Sequence, residues 1–515
     1  MPGSDGIFAS ARVIALLTMC SRLLGLLREV VFSYYFSTTG LLSAFRIAFM
    51  VPNLARRLFG EGAISAAMIP TLTESLQRSG EEASRRFVGS ILVTLAAFLV
   101  AGVLAAEAVI AVWLTFHDDP SLRMAAILAP YMICICVAAV VGGVLNVRRH
   151  FATPAALPII LNVAVIAAAA GAASAGLRGT ALMHVVCVGV LAAGAVQLGA
   201  SLVALRAVSF FPIFELRRRD PYVRTVFVLM LPMVLGLSAV QINTLFDYLI
   251  AYLFIREDGE RVGPAVLGYA HYLYQLPLGV FGISIATAVF PELSRRAAAG
   301  DGGGLARVAC KGLRLALFIS LPASVGLMFV AEPLVATLYE RGEFDARATG
   351  RVAATLLFYA IGLGAYFVQH VLVRVFYAMH DSRTPARVAA RTVAVNLFLN
   401  LVLVFVMEER GLALSTAVCA AMQVVWLLRR LRGLLPEFHV RDIAAPAAKS
   451  LAATAVMAGT LALLATAELP GRSALFRLAV LLVMGVAAYS AAARLLCAEE
   501  LGAFLRRRPN TDSFK

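Results

Sequence analysis

The sequence predicts an all-α polytopic membrane protein, because of its composition and the length of its apolar runs. Of the 515 residues, 61% are hydrophobic and only 15% are charged, and the mean hydropathy is +0.86. A soluble domain carries roughly 25% charged residues. Runs long enough to cross about 30 Å of hydrocarbon recur along the chain.

These apolar runs divide into about fourteen predicted transmembrane helices. The predicted ranges are 8–36, 41–70, 86–115, 123–146, 155–174, 179–206, 224–255, 264–292, 310–338, 350–378, 386–407, 411–430, 445–467 and 473–496. Loops after even-numbered helices hold most of the arginines, for example Arg217–Arg219 and Arg429–Arg430. By the positive-inside rule, both termini are therefore expected in the cytoplasm. The net charge of +15 then reflects topology, and no nucleic-acid partner is expected.

Two segments at the ends of predicted helices 2 and 8 resemble each other. They read ISAAMIPTLTES (64–75) and SIATAVFPELSR (284–295), and they align with Pro70 on Pro291. A parallel repeat of this kind is typical of transporters whose two lobes move about a central site. Chance similarity between two membrane helices is the alternative.

The repeat predicts three parts of the chain. Residues 1–215 would form an N-terminal lobe of helices 1 to 6, and residues 216–435 a C-terminal lobe of helices 7 to 12. Residues 436–515 would hold helices 13 and 14, which lie outside the repeat, and a basic tail.

The first two predicted helices carry charges inside apolar sequence. Helix 1 contains SRLLGLLREVVFSYYF, with Arg22, Arg28 and Glu29, and helix 2 adds four more charged residues. Those four are Arg46, Arg56, Arg57 and Glu61. A charge at the bilayer centre costs about 2.5–3.5 kcal/mol even on a lenient scale, so the arginines are expected to face a wet cavity. Snorkelling to the interface with internal Arg–Glu pairing is the alternative.

The excess of arginine predicts an anionic substrate. A guanidinium is a planar, permanently charged fork that matches phosphate oxygens bidentately.

The prolines and small residues near these arginines predict bending or close helix approach as the lobes move. These structural positions are Gly25, Pro52, Asn53, Gly60, Gly62 and Pro277.

The segments SRLLGLLRE (21–29) and PNLARRLFGEGAISAAMIP (52–70) resemble the MviN/MurJ family of lipid II flippases. That family lies within a superfamily of multidrug and polysaccharide exporters. The resemblance extends over nearly the whole chain and implies two six-helix lobes around a central cationic cavity. It also implies a groove, built partly by helices 13 and 14, for the undecaprenyl tail of the substrate.

The resemblance implies roles for individual residues. Arg22 and Arg28 occupy the positions of the family's essential arginines in helix 1, followed by the acidic Glu29. Arg56 and Glu61 match functional positions of helix 2, and Arg57 is expected to assist.

Two positions depart from the family pattern. Ser43 stands where an acidic residue is common, and Tyr272 stands where helix 8 usually carries an arginine, with His271 beside it. His271 and Tyr272 are therefore candidate substrate contacts of the second lobe. A structural role for the histidine is the alternative, as is Arg46 reaching across to replace the missing arginine.

Polar residues in helices 7, 11 and 12 predict a site for a coupling ion. Asp247, Asn396 and Asn400, with Thr416 as a weaker candidate, match a sodium site that the resemblance implies for some members. Carboxylate, amide and hydroxyl oxygens suit a small hard cation. Interhelical hydrogen bonding is the alternative role for the asparagines, and sodium, protons and membrane potential all stay open as driving forces.

No pattern for a catalytic site or a bound cofactor is present. The chain lacks a P-loop, and GDGGGLAR (300–307) is predicted to be a linker. HDDP (117–120) is predicted to cap a helix. A membrane glycosyltransferase would need a large hydrophilic loop with carboxylates, and a pure scaffold would not explain the buried arginines.

The expected function is therefore transport. The predicted protein is a monomeric flippase of the bacterial inner membrane that moves lipid II by alternating access, with membrane lipids as its other partners. An exporter of another polyprenyl-pyrophosphate glycan, or a cation-coupled multidrug exporter, is the alternative.

Overall fold

The computed structural model describes residues 4–57, 64–215, 221–466 and 473–505, which form sixteen α-helices and no strand. The first eight helices are α1 (Ser4–Phe36), α2 (Gly40–Ala55), α3 (Ile64–Arg78), α4 (Gly80–Leu114), α5 (Pro120–Val147), α6 (Ala152–Ser174), α7 (Gly179–Ala207) and α8 (Pro221–Phe254). The others are α9 (Gly263–Pro277), α10 (Ile283–Ala298), α11 (Gly302–Tyr339), α12 (Ala346–Ala378), α13 (Arg383–Leu434), α14 (Arg441–Thr466), α15 (Ala474–Leu496) and α16 (Ala498–Leu505).

The protein is an all-α polytopic membrane protein, as predicted. Within the described ranges, nine helical segments are long and apolar enough to cross a membrane. The helix α12, which bends by 43° between Ile361 and Leu363, would be a tenth. Each predicted transmembrane range coincides with one helix, half of a helix or a pair of helices in the structure.

The chain divides into two compact units. The first unit comprises residues 1–265 together with Arg341–Phe344, and the second comprises Val266–Glu340 and residues 345–515. The predicted lobes are defined by the sequence repeat instead of by packing, so their limits stay a prediction.

The first unit is built around α5. This helix packs against α2, α4 and α7, and α6 packs in turn against α1 and α7. The fully buried Tyr131 of α5 lies directly against Gly194 of α7, where an added Cβ would come within 2.6 Å of the tyrosine ring. Close approach at this glycine fixes the position of α5, and α5 supports the helix α2 that carries several of the predicted site residues.

The α-helical conformation ends at corresponding places of the predicted repeat, at Ala55 and at Pro277. With Pro70 aligned on Pro291, Ala55 at the end of α2 falls beside Pro277, the last residue of α9. A π-helical turn at Leu278–Gly282 then connects α9 to α10. Residues 56–57 are also π-helical, so the described residues change from α- to π-helix at corresponding positions, which agrees with the repeat.

The second unit contains a helical hairpin within α13. Glu408 has a left-handed backbone (φ 51°), which breaks the helix where the sequence predicts a loop between helices 11 and 12. The hydroxyl of Ser415 donates a hydrogen bond to the side-chain oxygen of Asn400. In a straight helix these residues would be about 22 Å apart, so the chain folds back at Glu408.

The predicted linker at residues 300–307 is wrong, because most of it belongs to α11. Asp301 caps this helix by accepting a hydrogen bond from the Gly304 N–H at 2.7 Å, and it also pairs with Arg296 at 2.8 Å. A Cβ at position 304 would lie 2.0 Å from the Asp301 carboxylate, so the glycine permits the cap. Helix α3 likewise continues to Arg78, beyond its predicted end at residue 70.

The predicted cap in HDDP is confirmed. Asp119 precedes α5 and accepts hydrogen bonds from the Ser121 N–H at 2.8 Å and from the Ser121 hydroxyl at 2.6 Å. Partial burial would raise the pKa of Asp119, but the bonds from Ser121 and the charge of Arg261 outweigh it, and the pKa is lowered. The cap therefore stabilises the fold at neutral pH, and this contribution is lost only as the pH falls through that lowered pKa.

Candidate functional site

The centre of the candidate site is a buried carboxylate held between two arginines. Glu29 lies on α1 with only 4% of its side chain exposed. Arg28 of the same helix donates to one carboxylate oxygen at 2.9 Å, and Arg46 of α2 donates to the other at 2.8 Å. Charge-assisted bonds of this kind are shorter and stronger than neutral ones. We call these three residues the Arg–Glu–Arg cluster.

Helix α6 holds the cluster from another side. Arg28 donates a second hydrogen bond to the side-chain oxygen of Asn162, at 3.1 Å, and the Asn162 amide donates to the Ser21 carbonyl at 3.1 Å. The Arg28 guanidinium also lies 6.0 Å from the ring centroid of Phe32. Because Asn162 is itself buried, this arrangement fixes the orientation of Arg28.

The other candidate arginines lie in the same unit, on α1 or directly after α2. Arg56 donates to the Asn53 side chain, with distances of 3.3 and 3.1 Å. Arg57 donates to the Gln241 side chain of α8 at 3.1 Å. Arg22 is half-buried on α1, where Gly25 is buried. The predicted residues Gly60, Glu61 and Gly62 lie outside the described residues.

Two tyrosines each lie near two of the arginines. Tyr131 of α5 lies within reach of the charges of Arg28 and Arg56. Tyr248 of α8 lies within reach of Arg46 and Arg57, and also of the Glu29 carboxylate. Among these described residues positive charge exceeds negative charge, so the arrangement can attract an anion.

The candidate contacts of the second unit form an aromatic cluster. His271 lies 5.1 Å from the ring of Tyr274 and 5.8 Å from that of Tyr359, and it hydrogen-bonds Gln275. Tyr272 is half-buried beside it on α9. This environment fits the structural role for His271, and its role in substrate binding stays a prediction.

The predicted ion-site residues fall in both units. Asp247 belongs to the first unit, where the Asn243 amide lies 3.5 Å from its carboxylate. Asn396 and Asn400 belong to the second unit and are bonded to each other at 2.9 Å.

The two asparagines also bond across the α13 hairpin. The Asn396 amide donates to the Ser415 hydroxyl at 3.3 Å, and that hydroxyl in turn bonds Asn400. The Thr416 hydroxyl donates to the Leu412 carbonyl at 2.9 Å. These bonds agree with the alternative role of the asparagines in linking helices, and a bound cation stays a prediction.

The sequence profile described as lipid II flippase MurJ matches residues 32–480 of the chain. The chain belongs to the MurJ family. The matched range includes all of α2 and begins just after Glu29, so family membership rests on the body of the chain and not on the helix 1 motif.

Curated MurJ relatives resemble the chain over most of its length. A probable lipid II flippase MurJ of Rhizobium meliloti is 33% identical over 425 residues, which cover 80% of this chain and 78% of that protein. The lipid II flippase MurJ of Burkholderia cenocepacia is 32% identical over 444 residues, with 83% and 84% covered.

Solved structures agree on the fold. A lipid II flippase MurJ in an inward closed conformation matches with a TM-score of 0.79 and 23% identity, covering 95% of this chain and 99% of that one. An inward-facing multidrug resistance MATE family transporter matches with a TM-score of 0.65 and 15% identity, covering 82% and 98%. The MurJ fold therefore fits better than the MATE fold.

Sequence reasoning missed three polar residues that this MurJ-family chain uses as partners. Asn162 orients Arg28, Gln241 accepts from Arg57, and Ser415 links the two asparagines. The available signal was a polar residue inside an apolar run, such as the asparagine in PIILNVAVIAAAA. That signal indicates a buried hydrogen bond but does not identify the partner.

Proposed function

We propose that this protein is a flippase that moves lipid II, an undecaprenyl-pyrophosphate-linked peptidoglycan precursor, from the inner to the outer leaflet of the bacterial cytoplasmic membrane. The observation that carries the proposal is the Arg–Glu–Arg cluster, buried in the first unit of a MurJ-family chain. The protein would act as a monomeric transporter without catalysis, with both termini in the cytoplasm.

The chemistry of the cluster suits a pyrophosphate. Arg28 uses one N–H of each terminal nitrogen, for Asn162 and for Glu29, which leaves a second N–H on each of them, and its side chain is 21% exposed. The guanidinium therefore has donor capacity left for an anion. Arg22, Arg56 and Arg57 would add positive charge, and Glu29 would keep Arg28 from binding the substrate too tightly to release it.

The other parts of the substrate need their own surfaces. We propose that α14 and α15, which pack on each other and on α11, provide the groove for the undecaprenyl tail. Both helices carry apolar side chains that the protein leaves exposed, for example Leu463 and Val483. The sugar-peptide head would cross with the pyrophosphate, while Pro52 and Pro277 would allow the helices to bend.

A coupling cation is proposed for the second lobe. The buried Asn396, Asn400 and Ser415 side chains place three oxygen-bearing groups together. If sodium binds there, replacing it by potassium on both sides of vesicles should slow transport by about tenfold or more, and Asn400→Leu should remove the difference. Equal rates in the two salts would leave protons or membrane potential as the driving force.

The experiment that tests the function is depletion of the protein in a strain without another lipid II flippase. Lipid II in the outer leaflet is measured by adding an enzyme that cleaves its headgroup from outside intact cells. We expect the accessible fraction to collapse while total precursor accumulates. Re-expression of the protein should restore the accessible fraction.

An unchanged accessible fraction in fully depleted cells would contradict the proposal and favour another polyprenyl-linked glycan as substrate. A multidrug exporter would, in addition, be dispensable in the absence of drug. Growth without drug is therefore scored in the same cultures.

A further inference from the structure

We propose that Arg46 is a positioning residue that keeps the charge of Arg28 available for the pyrophosphate. It would do so by binding the second oxygen of Glu29. This inference rests on the proposed function and deepens it, because it assigns a role to an arginine that the helix 1 motif does not contain.

Glu29 is bonded by both arginines of the cluster. The carboxylate divides its two oxygens between two helices, one bonded to Arg28 of α1 and the other to Arg46 of α2. With Arg28 as the sole partner, the buried carboxylate would cancel the arginine's charge almost completely. With Arg46 present, two guanidinium groups and one carboxylate leave one net positive charge on the cluster.

Glu29 and Arg46 are both largely buried. The side chains of Glu29 and Arg46 are 4% and 14% exposed, so little water screens their charges. In such surroundings electrostatic interactions are much stronger than at the surface. Loss of the Arg46 charge would therefore change the potential at Arg28 substantially.

Bonds from α2 and α6 hold the Arg28 guanidinium in one orientation. Arg46 fixes the Glu29 carboxylate from α2, and Asn162 fixes the other side of Arg28 from α6. The Arg28 guanidinium is thus oriented by groups from two neighbouring helices. In E29Q the glutamine oxygen can still accept from Arg28 and Asn162 keeps its bond, so the orientation is retained while the charge changes.

The test compares four proteins in lipid nanodiscs: wild type, R46Q, E29Q and the double variant E29Q/R46Q. The net charge of the cluster is then one, zero, two and one. The probe is undecaprenyl pyrophosphate, with uncharged undecaprenol as the reference ligand. We expect R46Q to weaken binding of the pyrophosphate by about tenfold or more, E29Q to bind no more weakly than wild type, and the double variant to bind within about threefold of wild type.

Recovery in the double variant is the readout that a merely structural role would not produce. A double variant that binds as weakly as R46Q would overturn the proposal, as would R46Q with wild-type affinity. R46K keeps the charge and is expected to retain most of the affinity, which keeps the test usable if R46Q does not fold. An R46K protein that is folded but binds as weakly as R46Q would contradict the electrostatic role.

The variants R351Q and R28A, together with the undecaprenol reference, separate this inference from the proposed function. R351Q removes another arginine that is paired with a buried glutamate, this time in the second unit, and should lower the Tm without changing affinity for the probe. If wild type binds the pyrophosphate no better than undecaprenol, the proposed function itself fails. If R28A abolishes binding but R46Q does not, the proposed function stands and the role of Arg46 is refuted.

Discussion

Substitution of Arg28 by alanine is expected to abolish growth of cells in which this protein is the sole lipid II flippase. The change removes the guanidinium that bridges Glu29 and Asn162 and takes away the donors proposed for the pyrophosphate. Truncation of one partner of a buried, hydrogen-bonded charge pair typically costs 2–5 kcal/mol or more of binding, which is about 30-fold to several thousandfold. Complementation of a depletion strain, with protein levels checked by immunoblot, measures the effect.

Arg78→Ala is the matched control for this prediction. Arg78 belongs to the same unit, but its side chain is 75% exposed and pairs with Glu74 along the surface of α3. Exposed pairs of this type contribute little, so growth should be unaffected. Normal growth of the Arg28→Ala strain at wild-type protein levels would show that the Arg–Glu–Arg cluster is not the substrate site.

The second large effect is expected at Arg351, on the stability of the second unit. Arg351 of α12 binds both oxygens of Glu409 at 2.9 Å, directly beside the backbone turn at Glu408. The Glu409 side chain is only 3% exposed. Arg351→Ala leaves this carboxylate without its arginine, so we expect a loss of about 3–5 kcal/mol, seen as a lower Tm of the purified protein in detergent.

The cause can be checked with a second substitution. Arg351→Ala combined with Glu409→Leu removes both charges and should recover much of the lost stability. Arg123→Ala, which breaks the exposed pair with Asp118, is the control and should leave the Tm nearly unchanged. An Arg351→Ala protein as stable as wild type would contradict the stabilising role of the Arg351–Glu409 pair.

Hydropathy predicted most of the fold because spanning a bilayer imposes a length and an apolar composition on each helix. The short interval MEERG between predicted helices 11 and 12 even located the turn at Glu408. Helix ends outside the apolar runs were not predictable in this way. The N-terminal part of α11, which Asp301 caps, and the C-terminal part of α3 both lie outside the apolar runs.

The candidate site was predictable residue by residue but not pair by pair. Charges inside apolar sequence identified Arg28, Glu29 and Arg46, since such charges need a buried partner or a wet cavity. Which of them meet depends on how α1, α2 and α6 pack, and one sequence does not contain that information. Asn162 was missed for this reason, although it is the residue that orients Arg28.

The central claim is that the Arg–Glu–Arg cluster carries the pyrophosphate of lipid II across the membrane. The most direct measurement is the fraction of lipid II that an external headgroup-cleaving enzyme reaches in cells whose sole copy of the protein carries Arg28→Ala. We predict that this fraction falls to the level of depleted cells while total precursor accumulates and the variant is present in the membrane. A fraction equal to that of wild-type cells would contradict the claim.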